Sequence, residues 1–134
     1  MRGKKDQPFG ILIVDDGKDF RESFGEFLAL FGHQVYEASD GRKALDLLRK
    51  PHSIDLVLLD VRMPEANGME VLAEIKKNDP KLNVIFLTGY NAQEIAASVP
   101  QGHVQGCIEK TADPDKIRTL IEKTLNRTQA SLIP

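Results

Sequence analysis

The sequence LVLLDVRMP, residues 56–64, decides the fold class of this chain. Four consecutive apolar residues are typical of a strand that is covered on both faces, and a turn-prone Met-Pro pair follows closely. Between them lies Asp60, whose carboxylate is costly to bury unless another group balances its charge. The stretch therefore predicts a buried strand that ends at an acidic site, with the balancing groups supplied from elsewhere in the chain.

Strand and helix patterns alternate five times along the sequence. Three strand candidates are apolar runs, at residues 9–14, 54–59 and 83–88. A short candidate at 33–38 and a weaker one at 104–110 complete the set. A helical segment follows each run. In the first of these segments, the residues at helical spacing form one apolar stripe: Phe20, Phe24, Phe27, Leu28 and Phe31. This alternation predicts an α/β protein with a parallel sheet and helices on both faces, in which ligands bind beyond the carboxyl ends of the strands.

Chain length and composition limit the number of domains, the classes of partner and the cellular compartment that we expect. The chain has 134 residues, which suits one domain, and we expect a flexible tail at residues 1–7, the domain at 8–126, and a C-terminal tail or the start of a linker at 127–134. The net charge of −2 gives no electrostatic case for nucleic-acid binding, and no apolar run is long enough to span a membrane. With Cys107 as the single cysteine and no secretory signal, a reducing, cytoplasmic setting is expected.

Polar residues stand at the carboxyl ends of four predicted strands: Asp15 and Asp16 after the first, Asp60 after the third, Thr88 at the fourth and Lys110 at the fifth. Asp60 is the hardest of them to explain structurally, and the others have ordinary structural explanations when taken singly, but parallel strands bring all of them to one sheet edge. Three neighbouring carboxylates repel one another, and a hard cation such as Mg²⁺ removes that repulsion. A carboxylate beside a metal and a lysine can attack phosphorus to give an aspartyl phosphate.

With these residues, the chain resembles a response-regulator receiver domain of two-component signalling systems. The resemblance is carried by Asp15-Asp16, by LLDVRMPEANG at residues 58–68, by Thr88 in LTG and by Lys110. It covers about residues 7–127. It implies a single flavodoxin-like (βα)5 domain with a five-stranded parallel sheet in the order 2-1-3-4-5 and helices on both faces.

The resemblance also implies a role for each acidic residue. Asp60 is the phosphoryl acceptor. Asp16 binds Mg²⁺ directly, Asp15 acts on the ion largely through water, and the backbone carbonyl of Arg62 is a further ligand. The resemblance implies self-catalysed phosphoryl acceptance with slow autodephosphorylation, and no turnover enzyme.

Two further residues are implied to act on the phosphoryl group: Lys110 pairs with Asp60 and then with the phosphoryl group, and Thr88 follows that group on its arrival. The implied donor is a phosphohistidine on a sensor histidine kinase or a phosphotransfer protein. The signal then goes to an output domain, a downstream protein or a second copy of the chain, without direct contact to nucleic acid or membrane. Whether the chain is a stand-alone regulator or a piece of a longer one is left open.

Two positions depart from the family pattern. Thr111 stands where most members carry a proline in a cis peptide, so the Lys110–Thr111 bond is expected to be either trans or a strained cis. Cys107, expected to be buried, stands where an aromatic side chain usually turns inward as the threonine moves. We therefore expect intact activating chemistry and an atypical output face. Arg62 and Tyr90 flank the acceptor, either as screens against water or as ordinary loop residues.

Two other functions are alternatives to a phospho-accepting receiver domain. A Mg²⁺-dependent phosphatase would use Asp60 as a transient nucleophile, but Arg62 occupies the place where a second, acid/base carboxylate would be needed. A flavodoxin-like module that only docks a partner would not need the complete acidic site. The histidines lack metal-ligand spacing and are predicted to be structural; they are His33, His52 and His103.

Overall fold

Five strands and five helices alternate through the part of the chain that the computed structural model describes, which is residues 9–62, 68–89, 91–100 and 102–131, with side chains as far as residue 127. The strands are β1 (Gly10–Val14), β2 (Gln34–Ala38), β3 (Leu56–Asp60), β4 (Asn83–Thr88) and β5 (Gly106–Glu109). The helices are α1 (Lys18–Ala29), α2 (Gly41–Arg49), α3 (Gly68–Asn78), α4 (Ala92–Ser98) and α5 (Pro114–Ser131). All strand pairs are parallel, in the order β2-β1-β3-β4-β5, which confirms the predicted fold class.

The sheet is buried between two apolar layers because β1, β3 and β4 are apolar on both faces. Side chains alternate between the faces, so Leu12 and Val14 contribute to the layer that contains α2 and α3 residues. Ile11 and Ile13 contribute to the opposite layer, with residues of α1 and α5. Helices therefore cover both faces, as the continuous apolar runs predict.

The strand register aligns the carboxyl ends of the central strands. Val14 lies opposite Leu59, and Asp60 lies opposite Leu87. Asp60 is itself the last residue of β3, one position beyond the predicted strand end. The rigid sheet thus delivers this carboxylate to the edge where β1 and β4 also end.

Acidic caps start two of the helices. The Asp40 carboxylate accepts a hydrogen bond of 2.8 Å from the backbone N–H of Lys43, so Asp40 is the N-cap of α2. At α5, the Asp113 carboxylate accepts from the backbone N–H of Asp115 at 2.9 Å. Both helices therefore begin where their capping residues predict.

The C-terminal ends of α1 and α5 are determined by different features of the chain. α1 ends at Ala29, and the chain turns through Gly32, whose φ of +88° lies in the left-handed region that favours glycine. α5 continues through residues 127–131, part of the segment for which the sequence predicts a C-terminal tail or the start of a linker. Residues 127–131 include Arg127, Gln129 and Ala130, which favour a helix, and they contain no glycine or proline to end one. Among the described helices, none is long and apolar enough to cross a membrane.

Gly10 is required where β1 begins, because a Cβ atom there would lie 1.7 Å from the backbone oxygen of Ser53. We expect Gly10→Ala to lower the free energy of unfolding by about 2–3 kcal/mol, since the Ser53 segment must move to relieve the clash. Gly89→Ala is the control, because a Cβ atom there meets nothing within 4 Å. Urea unfolding of both variants measures the difference, and equal unfolding midpoints would contradict the role of Gly10.

Candidate functional site

Three carboxylates meet at the carboxyl edge of the sheet. Asp15 directly follows β1 and is fully buried, Asp60 ends β3 and is 5% exposed, and Asp16 is exposed. One oxygen from each lies within 4.8 Å of the others. The residues predicted from sequence as an acidic cluster are therefore neighbours in space, at a separation that a single cation can bridge.

Backbone N–H groups orient the two buried carboxylates. Oδ1 of Asp15 accepts a hydrogen bond of 2.7 Å from the N–H of Gly17, and Oδ1 of Asp60 accepts one of 3.0 Å from the N–H of Arg62. In each case the donor is two residues further along the chain, the usual reach of an aspartate in a turn. The local turns thereby fix Oδ1, and Oδ2 of each carboxylate faces Lys110.

Lys110 is the cation of the site. Its Nζ lies 2.6 Å from Oδ2 of Asp15 and 3.8 Å from Oδ2 of Asp60, so the ammonium is closer to Asp15 than the implied pairing with Asp60 suggests. The Asp15 carboxylate is fully buried, and the ammonium supplies the counter-charge that a buried carboxylate requires. The described residues contain no cis peptide bond, so the Lys110–Thr111 bond is trans.

Burial raises the pKa of the Asp60 carboxyl from its ordinary value of 3.8 to about 6. The hydrogen bond from the Arg62 backbone opposes this change, and the negative charge of Asp15 adds to it. Smaller effects come from Lys110, which lowers the pKa, and from Asp16, which raises it. Asp60 is thus a poorly solvated carboxylate that is ionised at neutral pH and attracts positive charge.

Thr88 and Gly89 border the site on the side of β4. Thr88 is the last residue of the strand and is 2% exposed, and its backbone oxygen accepts a hydrogen bond of 2.8 Å from the N–H of Lys110. Gly89 has open space where a side chain would stand. On the β3 side Arg62 is exposed. Tyr90, Met63 and Pro64 lie outside the described residues.

Two residues of α1 also reach the site, although their roles were not predicted from sequence. Nη1 of Arg21 donates a hydrogen bond of 2.8 Å to the backbone oxygen of Asp15, and its Nε bonds to Glu37 at 3.1 Å. The ring centroid of Phe20 lies 4.8 Å from Nζ of Lys110. Phe20 was assigned only to the apolar stripe. Its place in the first turn of the helix that follows the Asp pair was the signal that it lies near the same sheet edge.

Cys107 is only partly buried, in contrast to the expectation of a buried side chain. It lies on β5, the edge strand, and all four residues of that strand are partly exposed. The neighbouring α4 has no buried residue, so the cover over this edge of the sheet is thin. Partial burial raises the pKa of the Cys107 thiol, with a further contribution from Glu109, and this agrees with a packing role.

The histidines with described side-chain contacts have structural partners. Nδ1 of His33 accepts from the Phe9 N–H at 3.3 Å, and its Nε2 lies 2.8 Å from Oε2 of Glu122. Nδ1 of His52 accepts from the Ile54 N–H at 3.0 Å. None of these contacts involves the acidic cluster.

A family model and the sequence relatives of this chain point to the same family. A family model described as the response regulator receiver domain matches residues 11–122. Chemotaxis protein CheY from Bacillus subtilis (strain 168) is 35% identical over 117 residues, which cover 87% of this chain and 97% of CheY. Sporulation initiation phosphotransferase F from the same organism is 34% identical over 115 residues, covering 86% and 92% of the two chains.

Solved structures agree with the sequence relatives. A CheY-like receiver domain protein from Methanospirillum hungatei JF-1 matches with a TM-score of 0.85 and 25% identity, covering 93% of this chain and 99% of that one. Response regulator TrrA from Thermotoga maritima, solved in complex with Mg(2+)-BeF, has a TM-score of 0.76 and 29% identity, with coverage of 86% and 97%.

Several relatives are much longer than this chain. The match spans 30% of a cyclic di-GMP phosphodiesterase from Thermotoga maritima and 25% of the regulatory protein AtoC from Escherichia coli (strain K12), each at 33% identity. The shared part of those proteins is thus one segment of a larger molecule.

Proposed function

This chain belongs to the response regulator receiver family, whose members are phospho-accepting signalling modules, and from that premise we propose that Asp60 is the residue that accepts the phosphoryl group. The observation that carries the proposal is the environment of its carboxylate. Asp60 is 5% exposed at the end of a rigid strand, its pKa is raised to about 6, and two carboxylates and an ammonium surround it. A desolvated carboxylate in fixed position is suited to nucleophilic attack on phosphorus.

In the proposed transfer, an oxygen of Asp60 forms a bond to the phosphorus of a phosphohistidine. The bond between phosphorus and the histidine nitrogen breaks, and that nitrogen leaves with the electron pair. Phosphoryl transfer depends chiefly on positioning and on neutralised charge. Lys110, with Nζ 3.8 Å from Asp60, is placed to contact the new phosphoryl oxygens, and the Thr88 hydroxyl is proposed to donate a hydrogen bond to one of them.

The acidic cluster fits a magnesium ion. Oxygens of Asp15, Asp16 and Asp60 within 4.8 Å of one another form the kind of hard, negatively charged donor set that Mg²⁺ prefers. We propose Asp16 and Asp60 as direct ligands, Asp15 as a ligand largely through water, and the Arg62 carbonyl as a further one. When bound, the ion would neutralise negative charge on the phosphoryl oxygens.

We propose a sensor histidine kinase or a phosphotransfer protein as the donor, in a cytoplasmic setting. Phosphorylation then changes affinity for an output domain, a downstream protein or a second copy of the chain, because the two states interact differently with the phosphoryl group. The chain accepts phosphate by its own catalysis and loses it slowly. A phosphatase is not favoured, since Arg62 is exposed where a second carboxylate would be needed, and a mere docking module would not need the acidic cluster.

Incubation with acetyl phosphate and Mg²⁺ tests the function directly. We expect the intact mass to increase by one phosphoryl group, and we expect EDTA to prevent the increase because charge at the cluster is then not neutralised. Repeated release of phosphate from a monoester substrate would instead indicate a phosphatase. Absence of any labelling with Mg²⁺ present would contradict phosphoryl acceptance.

The metal assignment is tested by Asp16→Asn, with Asp19→Asn as the matched control, because both carboxylates are exposed near the start of α1. Asp19 is not part of the acidic cluster. Loss of a direct ligand is expected to weaken Mg²⁺ binding by at least the roughly tenfold to 100-fold that outer partners contribute. The chain has no tryptophan, so isothermal titration calorimetry or amide NMR shifts are the appropriate measurements. Equal affinities in the two variants would contradict the assignment of Asp16.

A further inference from the structure

The ring of Phe20 lies directly beside the cation of the site, with its centroid 4.8 Å from Nζ of Lys110. We propose that Phe20 is a positioning residue that holds the Lys110 ammonium against the acidic cluster. An aromatic face attracts a cation at this distance. The consequence for phosphorylation rests on the proposed function, whereas the contact itself can be tested without it.

Lys110 needs such a constraint because its side chain is long and partly exposed. A lysine has four flexible carbons and a strongly hydrated ammonium, so it readily turns toward water. The Lys110 side chain is 25% exposed, with Asp15 at 2.6 Å and Asp60 at 3.8 Å from Nζ. The Phe20 ring provides an additional contact that restricts the ammonium to the vicinity of these carboxylates.

The ring of Phe20 is itself held by a row of aromatic side chains along α1. It stacks on Phe24 with centroids 5.6 Å apart and planes inclined by 11°. Phe24 is 4% exposed, and the centroid of its ring lies 5.8 Å from that of Phe27. Because residues four and three positions apart lie on one helix face, this row connects Phe20 to the apolar layer and fixes its orientation.

The first turns of α1 are also bonded to the acidic site. Arg21, adjacent to Phe20, donates to the backbone oxygen of Asp15 at 2.8 Å and pairs with Glu37 of β2 at 3.1 Å. The helix start is thereby fixed relative to Asp15. Phe20 and the carboxylates consequently keep a constant separation, which is what a positioning residue requires.

An NMR experiment on the metal-free protein tests the contact. We expect nuclear Overhauser effects between the Phe20 ring and the ε-methylene protons of Lys110, and an upfield shift of those protons by the ring. The shift should be lost in Phe20→Leu and kept in Phe20→Tyr, which retains an aromatic face. Phe31→Leu is the matched control, since the Phe31 ring lies at the far end of the same aromatic row, beside Phe27, with its centroid 4.0 Å from Cζ of Arg118 and not beside Lys110. Unshifted Lys110 protons in the wild-type protein would overturn the proposal.

Phosphorylation by acetyl phosphate then tests the consequence. We expect Phe20→Leu to be labelled about threefold to tenfold more slowly, the range that a partly desolvated cation–aromatic contact supports, and Phe20→Tyr and Phe31→Leu to match the wild type. A small donor separates this effect from any docking of a kinase on α1. Equal rates for Phe20→Leu and wild type, or a Phe20→Tyr as slow as Phe20→Leu, would overturn the proposal. If wild-type Asp60 is not labelled at all, the proposed function fails while the NMR result still decides the contact.

Discussion

Asp60→Asn is expected to abolish phosphorylation by acetyl phosphate, reducing the labelling rate by a factor of at least about 10³, as is typical when the nucleophile of a reaction is removed. The asparagine amide has nearly the shape of the carboxylate but lacks the anionic oxygen that attacks phosphorus. Intact-mass analysis over time, with Mg²⁺ present, measures the effect. Peptide mapping of the labelled wild-type protein should place the phosphoryl group on Asp60.

The matched control for this substitution is Asp46→Asn. Asp46 lies on α2 with its side chain 55% exposed, and it pairs with Arg49 at the surface. It should be labelled at the wild-type rate. Undiminished labelling of Asp60→Asn would show that another carboxylate is the acceptor, and Asp15 and Asp16 would be the first to examine.

The same substitution is expected to stabilise the protein at neutral pH in Mg²⁺-free buffer. The pKa of Asp60 is about 6 in the folded chain against an ordinary value of 3.8, so the folded state binds more protons between these values. The stability that the protonated carboxyl contributes is complete below about pH 4 and is lost as the pH rises through about 6. A shift of this size corresponds to roughly 3 kcal/mol, which Asp60→Asn should largely recover above pH 6.

Urea unfolding at several pH values between 4 and 7.5, with EDTA present, measures this effect. The free-energy difference between Asp60→Asn and wild type should grow with pH and level off above about 6. Added Mg²⁺ should reduce it, because a cation stabilises the ionised cluster. Asp46→Asn again serves as the control, since an exposed ion pair contributes little. A difference that does not change with pH would contradict the raised pKa.

The sequence was sufficient to predict the sheet and the residues at its edge. The apolar run before Asp60 requires cover on both faces, and alternation with helical segments makes the strands parallel. Parallel strands then bring Asp15 and Lys110 to the edge near Asp60, although they are far apart in the chain.

Side-chain partners across elements were harder to predict. Periodicity assigned Phe20 to the apolar stripe but could not indicate that its ring would face Lys110. It also could not indicate that Lys110 would lie closer to Asp15 than to Asp60, because that choice depends on how deeply each carboxylate is buried. Similarly, the apolar character of Cys107 favoured burial, and only the edge position of β5 limits it.

The thin cover over β5 has a consequence for how the molecule moves. α4 is seven residues long and none of them is buried, so few apolar contacts would be lost if it separated from the sheet. Segments of this kind open locally at a small fraction of the global unfolding free energy, while the layers around β1, β3 and β4 stay intact. Amide hydrogens of α4 should therefore exchange earlier than those of β1, β3 and β4. α4 begins four residues after Thr88, so the acidic site and this thinly covered helix are connected by a short stretch of chain.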